Sequence, residues 1–260
     1  MSPADAELLE GRAGEDPVLD LALATALLAQ VAAGDRGPVI RVYRPAPTVA
    51  FGRRDSFRAG FERAVAAATR AGFAPAIRSA GGRAAAYHED CLVIDELVPA
   101  PDAMADVDAR FAAEAESQAQ ALRGLGIDAR VGEVAGEYCP GRFSVNARGQ
   151  TKLIGAAQRI VSGAWLFSTV VVVGGEGRVR AVLEEVYAAL ELSWDPASVG
   201  SITAERPGVT VEEVQAALLA PLAARYRLVP AAVGEAERAA ARDLLGRHRV
   251  TISRHDIVGR

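Results

Sequence analysis

Along this chain the spacing of apolar positions switches repeatedly between a period of two and a period near 3.6, so strands and helices should interleave from end to end. Asp16-Pro17 opens the first helical stretch, with Asp as N-cap and Pro at the first helical position, and Gly34 closes it. Val39 to Tyr43 and Thr48 to Phe51 read as short strands joined by a turn containing Pro45 and Pro47. Phe61 to Ala71 is amphipathic and stops at Gly72; Ala76 to Arg78 begins another strand, and Cys91 to Val98 fits a buried one. Val107, Phe111, Ala115, Ala119 and Leu122 recur at helical spacing between Asp106 and Gly124. A strand over Ile127 to Val134 comes next. Phe143 to Asn146 and Thr151 to Ile154 then form two arms of a hairpin around Ala147-Arg148-Gly149-Gln150, followed by a β-rich run from Trp165 to Val173. Glu176 to Leu190, Val211 to Tyr226 and Gly234 to Gly246 read as helices.

Several successive strands are linked by turns too short for anything but antiparallel pairing. The expected fold is therefore α/β (α+β), a mixed, mostly antiparallel sheet flanked by helices, and not a doubly wound parallel sheet. The glycine-rich stretch at Ser79 to Ala84 has neither the spacing of a dinucleotide fingerprint nor a Walker lysine.

Composition narrows the function. With 260 residues and half of them hydrophobic, the chain can bury a large core. A net charge of −4 and scattered basic residues argue against a nucleic-acid surface. Two cysteines, Cys91 and Cys139, are too few for a disulfide framework, and His88, His248 and His255 lack metal-ligand spacing, so no metal is expected. The acidic first residues and the interrupted alanine-rich stretch from Val18 to Gly34 resemble neither a signal peptide nor a membrane span, so a cytoplasmic protein is expected.

The chemistry concentrates between Gly136 and Arg159. Cys139 precedes Pro140-Gly141 and so sits at a chain reversal, and Lys152 lies on the hairpin strand beyond it. A cation near a thiol favours the thiolate, which suits nucleophilic acyl chemistry. Cys91, inside its apolar run, reads as core. Lys152 reads either as a solvated strand lysine or as an ammonium that stabilises developing charge. As a strand lysine it should contribute little to core burial, and its loss should barely alter melting. Gly81 and Gly82 make a turn whose missing side chains would let backbone N–H groups approach a ligand. Arg78 and Arg83 read as loop-bracing charges or as groups at the site, His88 as a loop-ordering or proton-transfer residue, and His248 and His255 as surface residues.

Two segments carry a resemblance. Arg78-Ser79-Ala80-Gly81-Gly82-Arg83-Ala84-Ala85-Ala86-Tyr87-His88 looks like the Arg-x-x-Gly-Gly loop, closed by a histidine, of the lipoate–protein ligase, octanoyltransferase and biotin–protein ligase superfamily. Lys152-Leu153-Ile154-Gly155-Ala156-Ala157-Gln158-Arg159 is similar to that superfamily's Lys-x-x-Gly-x-x-x-Arg strand, and Tyr138-Cys139-Pro140-Gly141 resembles its cysteine-dependent amidotransferase members. The resemblance implies a catalytic domain over residues 15–200 with a helical extension, 201–260, packed on it. It implies catalysis by Cys139 and Lys152, substrate binding by Arg78, Gly81, Gly82, His88 and Gly155, and transfer of an octanoyl or lipoyl group through a Cys139 thioester. The implied acceptor is a lysine of a lipoyl domain or glycine-cleavage H protein, the donor an acyl carrier protein or H protein, and no cofactor is needed. Two alternatives stay open: an ATP- and magnesium-dependent lipoate–protein ligase forming an acyl-adenylate, and a non-catalytic acyl-binding module.

Overall fold

A computed structural model describes residues 3–251. Eight strands build the larger sheet: β1 (Ala4–Glu10), β2 (Val39–Tyr43), β6 (Cys91–Pro99), β7 (Ala129–Val131), β8 (Val145–Ala147), β9 (Thr151–Val161), β10 (Ala164–Val172) and β11 (Tyr226–Ala231). Their spatial order is β11-β1-β2-β6-β10-β9-β8-β7. The β11–β1 and β1–β2 pairs are parallel and the remainder antiparallel, in keeping with the sequence expectation. A second sheet holds β3 (Thr48–Phe51), β4 (Ala74–Ile77) and β5 (Ala85–Tyr87) in the order β4-β3-β5. The helices are α1 (Val18–Ala33), α2 (Phe61–Arg70), α3 (Val107–Gly124), α4 (Glu176–Ala189), α5 (Ile202–Glu205), α6 (Val211–Arg225) and α7 (Glu235–His248).

Strand alternation divides the core. Ile40, Leu92, Ile94, Leu153 and Val171 point to one face, where they meet Ala115, Ala119 and Leu122 of α3 and Val214 and Leu218 of α6. On the opposite face α1 packs along β6 and β10, and α7 packs on α1. The small sheet, α2 and α4 form a cluster around Phe51, Ala64 and Tyr187. The active-site candidates fall where this small sheet abuts the large one.

Three local expectations change. β2 and β3 do not pair with each other: after the Pro45–Pro47 turn the chain leaves the large sheet, and Thr48–Phe51 pairs with β4 and β5 instead. The strand expected over Ile127 to Val134 is confined to Ala129–Val131. β1 and β11 had no counterpart in the sequence reading, and residues 201–251 contribute this strand as well as helices. The hairpin is as expected, with Arg148 and Gly149 at φ of +54° and +74°, the handedness that matches strand twist.

Candidate active site

Cys139 lies in the β7–β8 loop with φ +42°, a left-handed conformation that costs energy for any residue with a Cβ. The fold holds it there from two sides. Its N–H donates to the Tyr187 hydroxyl (2.8 Å), which in turn donates to the carbonyl of Ala84 (2.9 Å), so α4 ties the cysteine turn to the glycine loop. The Sγ then accepts from the Arg83 backbone N–H (3.2 Å) and from Arg78 Nη2 (3.3 Å). Burial alone would push this thiol up. The charges of Arg78 and Lys152, with the Arg83 N–H, outweigh that and hold it below its ordinary value.

Lys152 stands behind the turn. Its Nζ donates to the carbonyls of Cys139 (2.9 Å) and Tyr138 (3.2 Å), lies 3.6 Å from Glu137 Oε1 and sits over the Tyr138 ring. Glu137 Oε1 also accepts from the Gly141 N–H (2.7 Å) and Ser144 Oγ (2.8 Å). Burial is the main effect on Lys152 and lowers its pKa despite Glu137 and the Cys139 thiol. The reading of Lys152 as an exposed strand residue is thus corrected: it is 3% exposed, because the 137–141 loop covers that end of β9.

The glycine pair splits. Gly82 has φ +105°, and a Cβ there would collide with Arg78 Nη2 and stand 2.8 Å from Cys139 Sγ. Gly81 has open space around its Cα. Gly52 closes the loop from below, since a Cβ there would overlap the Gly82 carbonyl, and its N–H donates to Asp55 (2.8 Å). Gly155 acts on the lysine instead, because its missing side chain makes room for the Lys152 stem, whose Cε would lie 3.1 Å from a Cβ.

Of the sequence candidates, the structure brings together Cys139, Lys152, Arg78, Gly82 and Gly155. His88 is buried and points elsewhere: its Nε2 is 3.1 Å from the Gly175 carbonyl and its Nδ1 accepts from the Asp90 N–H (3.2 Å), which staples the β5–β6 turn to the start of α4. Cys91 is core, with burial pushing its thiol up to about 12. His248 is not a surface residue; it is 2% exposed and bonds the Ile77 carbonyl (2.8 Å) and Thr25 Oγ1 (3.0 Å). His255 lies outside the described residues. Glu137 and Tyr187 were missed. Glu137 adjoins the Tyr-Cys-Pro-Gly turn, whereas Tyr187 appears in sequence only as one more position on the apolar stripe of α4. Among the described residues no three His, Cys, Asp or Glu side chains converge as a metal site, and no helix is long and apolar enough to cross a membrane.

A narrow cleft runs from this cluster between the sheets. Arg78, Ser79 and Ala80 line one end, and Val93, Gly155, Ala157 and Val170 line it on the large sheet. The cleft shares Arg78 and Gly155 with the cysteine cluster, and a slot lined largely by small and apolar side chains beside a thiol can shelter an acyl chain.

Comparison with known proteins bears on the family and the fold. The family model for the lipoyl protein ligase A/B catalytic domain matches residues 16–223. The octanoyl-GcvH:protein N-octanoyltransferase of Anoxybacillus flavithermus is 30% identical over 60% of this chain and 56% of its own length. Its namesake from Geobacillus kaustophilus is 27% identical over 65% and 59%. The chain thus matches somewhat over half the length of these relatives. In fold it is similar to a lipoate-protein ligase A bound with ATP (TM-score 0.74, 24% identity, 94% of this chain and 95% of that one). A bipartite lipoate protein ligase from Thermoplasma acidophilum gives a TM-score of 0.72 at 23% identity, over 94% and 93%.

Proposed function

The chain belongs to the lipoyl protein ligase A/B catalytic domain family, and from that premise we propose that it moves an octanoyl or lipoyl group between carrier proteins through a thioester on Cys139. The donor is an octanoyl H protein or acyl carrier protein, and the acceptor is a lysine of a lipoyl domain or H protein, in line with the relatives named for octanoyl-GcvH. No cofactor takes part. Residues 15–200 would form the catalytic part with the 201–260 extension packed on it; among the described residues, the contacts of α7 with α1 support that packing. The reaction is assigned to the cytoplasm, where Cys139 and Cys91 would remain free thiols.

The observation that carries this reading is the Cys139 thiol, held between the Arg78 guanidinium and the Arg83 N–H with a buried ammonium behind it. With an amide donor, the thiolate attacks the acyl carbonyl and a C–S bond forms. The oxyanion is stabilised by the Arg83 N–H and Lys152, two of whose three N–H donors are engaged by loop carbonyls. The C–N bond then breaks, and the donor amine leaves with a proton from Lys152. The acceptor lysine attacks the thioester, returns a proton to Lys152 and releases the thiolate. Amide is exchanged for amide, so no ATP is consumed.

Intact-mass spectrometry tests this. Incubation with octanoyl-GcvH or octanoyl-carrier protein should add one octanoyl group to the wild-type chain and none to Cys139→Ala. If Cys139→Ala transfers octanoate at full rate with ATP and magnesium, the chain is a ligase and the thioester reading is wrong.

A further inference from the structure

Lys152 is the only lysine of the chain, and the groups around its buried ammonium do not all pull one way. Glu137, Tyr138 and Cys139 face it from the 137–141 loop, and Arg78 faces it from beyond the end of β4. Along the sheet it is aligned with Asn146 of β8 and bridged to Val199, neither of which ionises. Burial keeps the Tyr138 hydroxyl protonated, and the Arg78 guanidinium repels the ammonium. Among the described residues two anions are left to hold the lysine's charge, the Glu137 carboxylate and the Cys139 thiolate.

The two anions differ in kind. Glu137 is fixed: its side chain is wholly buried, and Oε1 accepts from the Gly141 N–H (2.7 Å) and Ser144 Oγ (2.8 Å) while standing 3.6 Å from Lys152 Nζ. Its Oε2 has no hydrogen-bond partner among the described residues, so a proton there would find no acceptor, and the site suits the ionised form. The thiolate, in contrast, is spent by the reaction, since its electron pair becomes the C–S bond of the thioester. A buried lysine with no anion beside it gives up its proton rather than stay charged.

We propose that Glu137 is a positioning residue that keeps Lys152 charged in the resting enzyme, while the Cys139 thiolate is the removable second anion whose loss on acylation releases the lysine's proton. This rests on the acyl-transfer reading above and deepens it by assigning when Lys152 acts as acid and when as base. As the thiolate attacks, the sulfur loses its charge and the departing donor amine takes the proton from Lys152. One anion and one cation vanish together, so the buried cluster keeps its net charge. Glu137 stays ionised throughout and keeps the neutral amine basic enough to take a proton back when the acceptor lysine attacks and the thiolate returns. A Glu137 that merely braced the loop could be replaced by glutamine, which can still accept from Gly141 and Ser144.

The test is an NMR titration of the chain labelled with carbon-13 at the lysine ε position, which gives one signal and needs no acyl donor. In the wild type Lys152 should be charged at neutral pH, and Glu137→Gln should bring its titration midpoint down by about one pH unit or more. Alkylation of Cys139 with iodoacetamide, which leaves a neutral thioether, should lower the wild-type midpoint as well. The alkaline limit of octanoyl loading from octanoyl-GcvH should fall in Glu137→Gln by a similar interval. A midpoint unmoved by Glu137→Gln, or unmoved by alkylation, overturns the proposal. Should Glu137→Gln fail to fold, the wild type still decides: a lysine neutral at neutral pH or indifferent to alkylation speaks against the proposal, and one charged there and shifted by alkylation speaks for it. If both midpoints shift while the wild type never loads octanoate, the transfer reading fails and the charge coupling stands.

Discussion

Replacing Lys152 with methionine removes one buried charge while keeping most of the side-chain volume. In the native fold that ammonium is 3% exposed, holds the carbonyls of Tyr138 and Cys139, and is the nearest cation to the buried Glu137 carboxylate. Deleting one member of such a pair leaves the other uncompensated, which typically costs about 3–5 kcal/mol. For a chain of this size that corresponds to a fall of roughly 10 °C in melting temperature. Lys152→Met combined with Glu137→Gln should recover at least half of the loss, because glutamine is neutral yet can still accept from Gly141 and Ser144. Turnover should not recover: on the proposed mechanism both the single and the double variant lie about 10² or more below wild type, because they lack the ammonium assigned to the oxyanion. Reversible urea unfolding of the four proteins of the cycle, with octanoyl transfer measured on each, supplies both readouts. The reasoning fails if Lys152→Met melts within about 2 °C of wild type, or if the double variant is no more stable than the single one.

Other outcomes follow from the same geometry. Gly82→Ala should lose most acyl transfer, through positive φ and the collision with Arg78 and Cys139, while Gly81→Ala should transfer normally; equal activities would show that loop geometry is not limiting. Iodoacetamide near neutral pH should label Cys139 and spare Cys91, and Arg78→Met should shift the Cys139 alkylation midpoint to higher pH; an unchanged midpoint would remove Arg78 from thiolate stabilisation. Glu96, pushed by burial and by Glu114 from an ordinary 4.5 to about 7, keeps its proton in the folded state where the unfolded chain has lost it. Its contribution to stability is thus full below pH 4.5 and lost as pH rises through about 7. Glu96→Gln should flatten that decline, and identical pH–stability curves for the two proteins would refute it.

What the sequence disclosed was local. The Cys139 turn, the hairpin and the helix between Asp106 and Gly124 are written in neighbouring residues, and their bounds fall within a few positions of those found. What it hid depends on distant partners. β1 is an acidic segment and β11 contains Pro230, so neither looks like a strand until the register Ala4–Tyr226 joins them across the length of the chain. Lys152 sits between half-buried Thr151 and buried Leu153, and alternation alone cannot tell that the 137–141 loop will cover it. Tyr187 was unreadable for the same reason: its hydroxyl acquires a role only when α4 lies against two loops from elsewhere.

His248 has a consequence in time. It grips the carbonyl of Ile77, immediately before Arg78, from the last turn of α7. The strand that delivers the guanidinium to the thiol is therefore braced by a residue made 171 positions later. A nascent chain still on the ribosome carries Cys139, Lys152 and Arg78 long before it carries their brace. On the acyl-transfer reading, the thiol should thus load poorly until His248 has been made and α7 has docked, so that the order of synthesis itself guards it against premature loading.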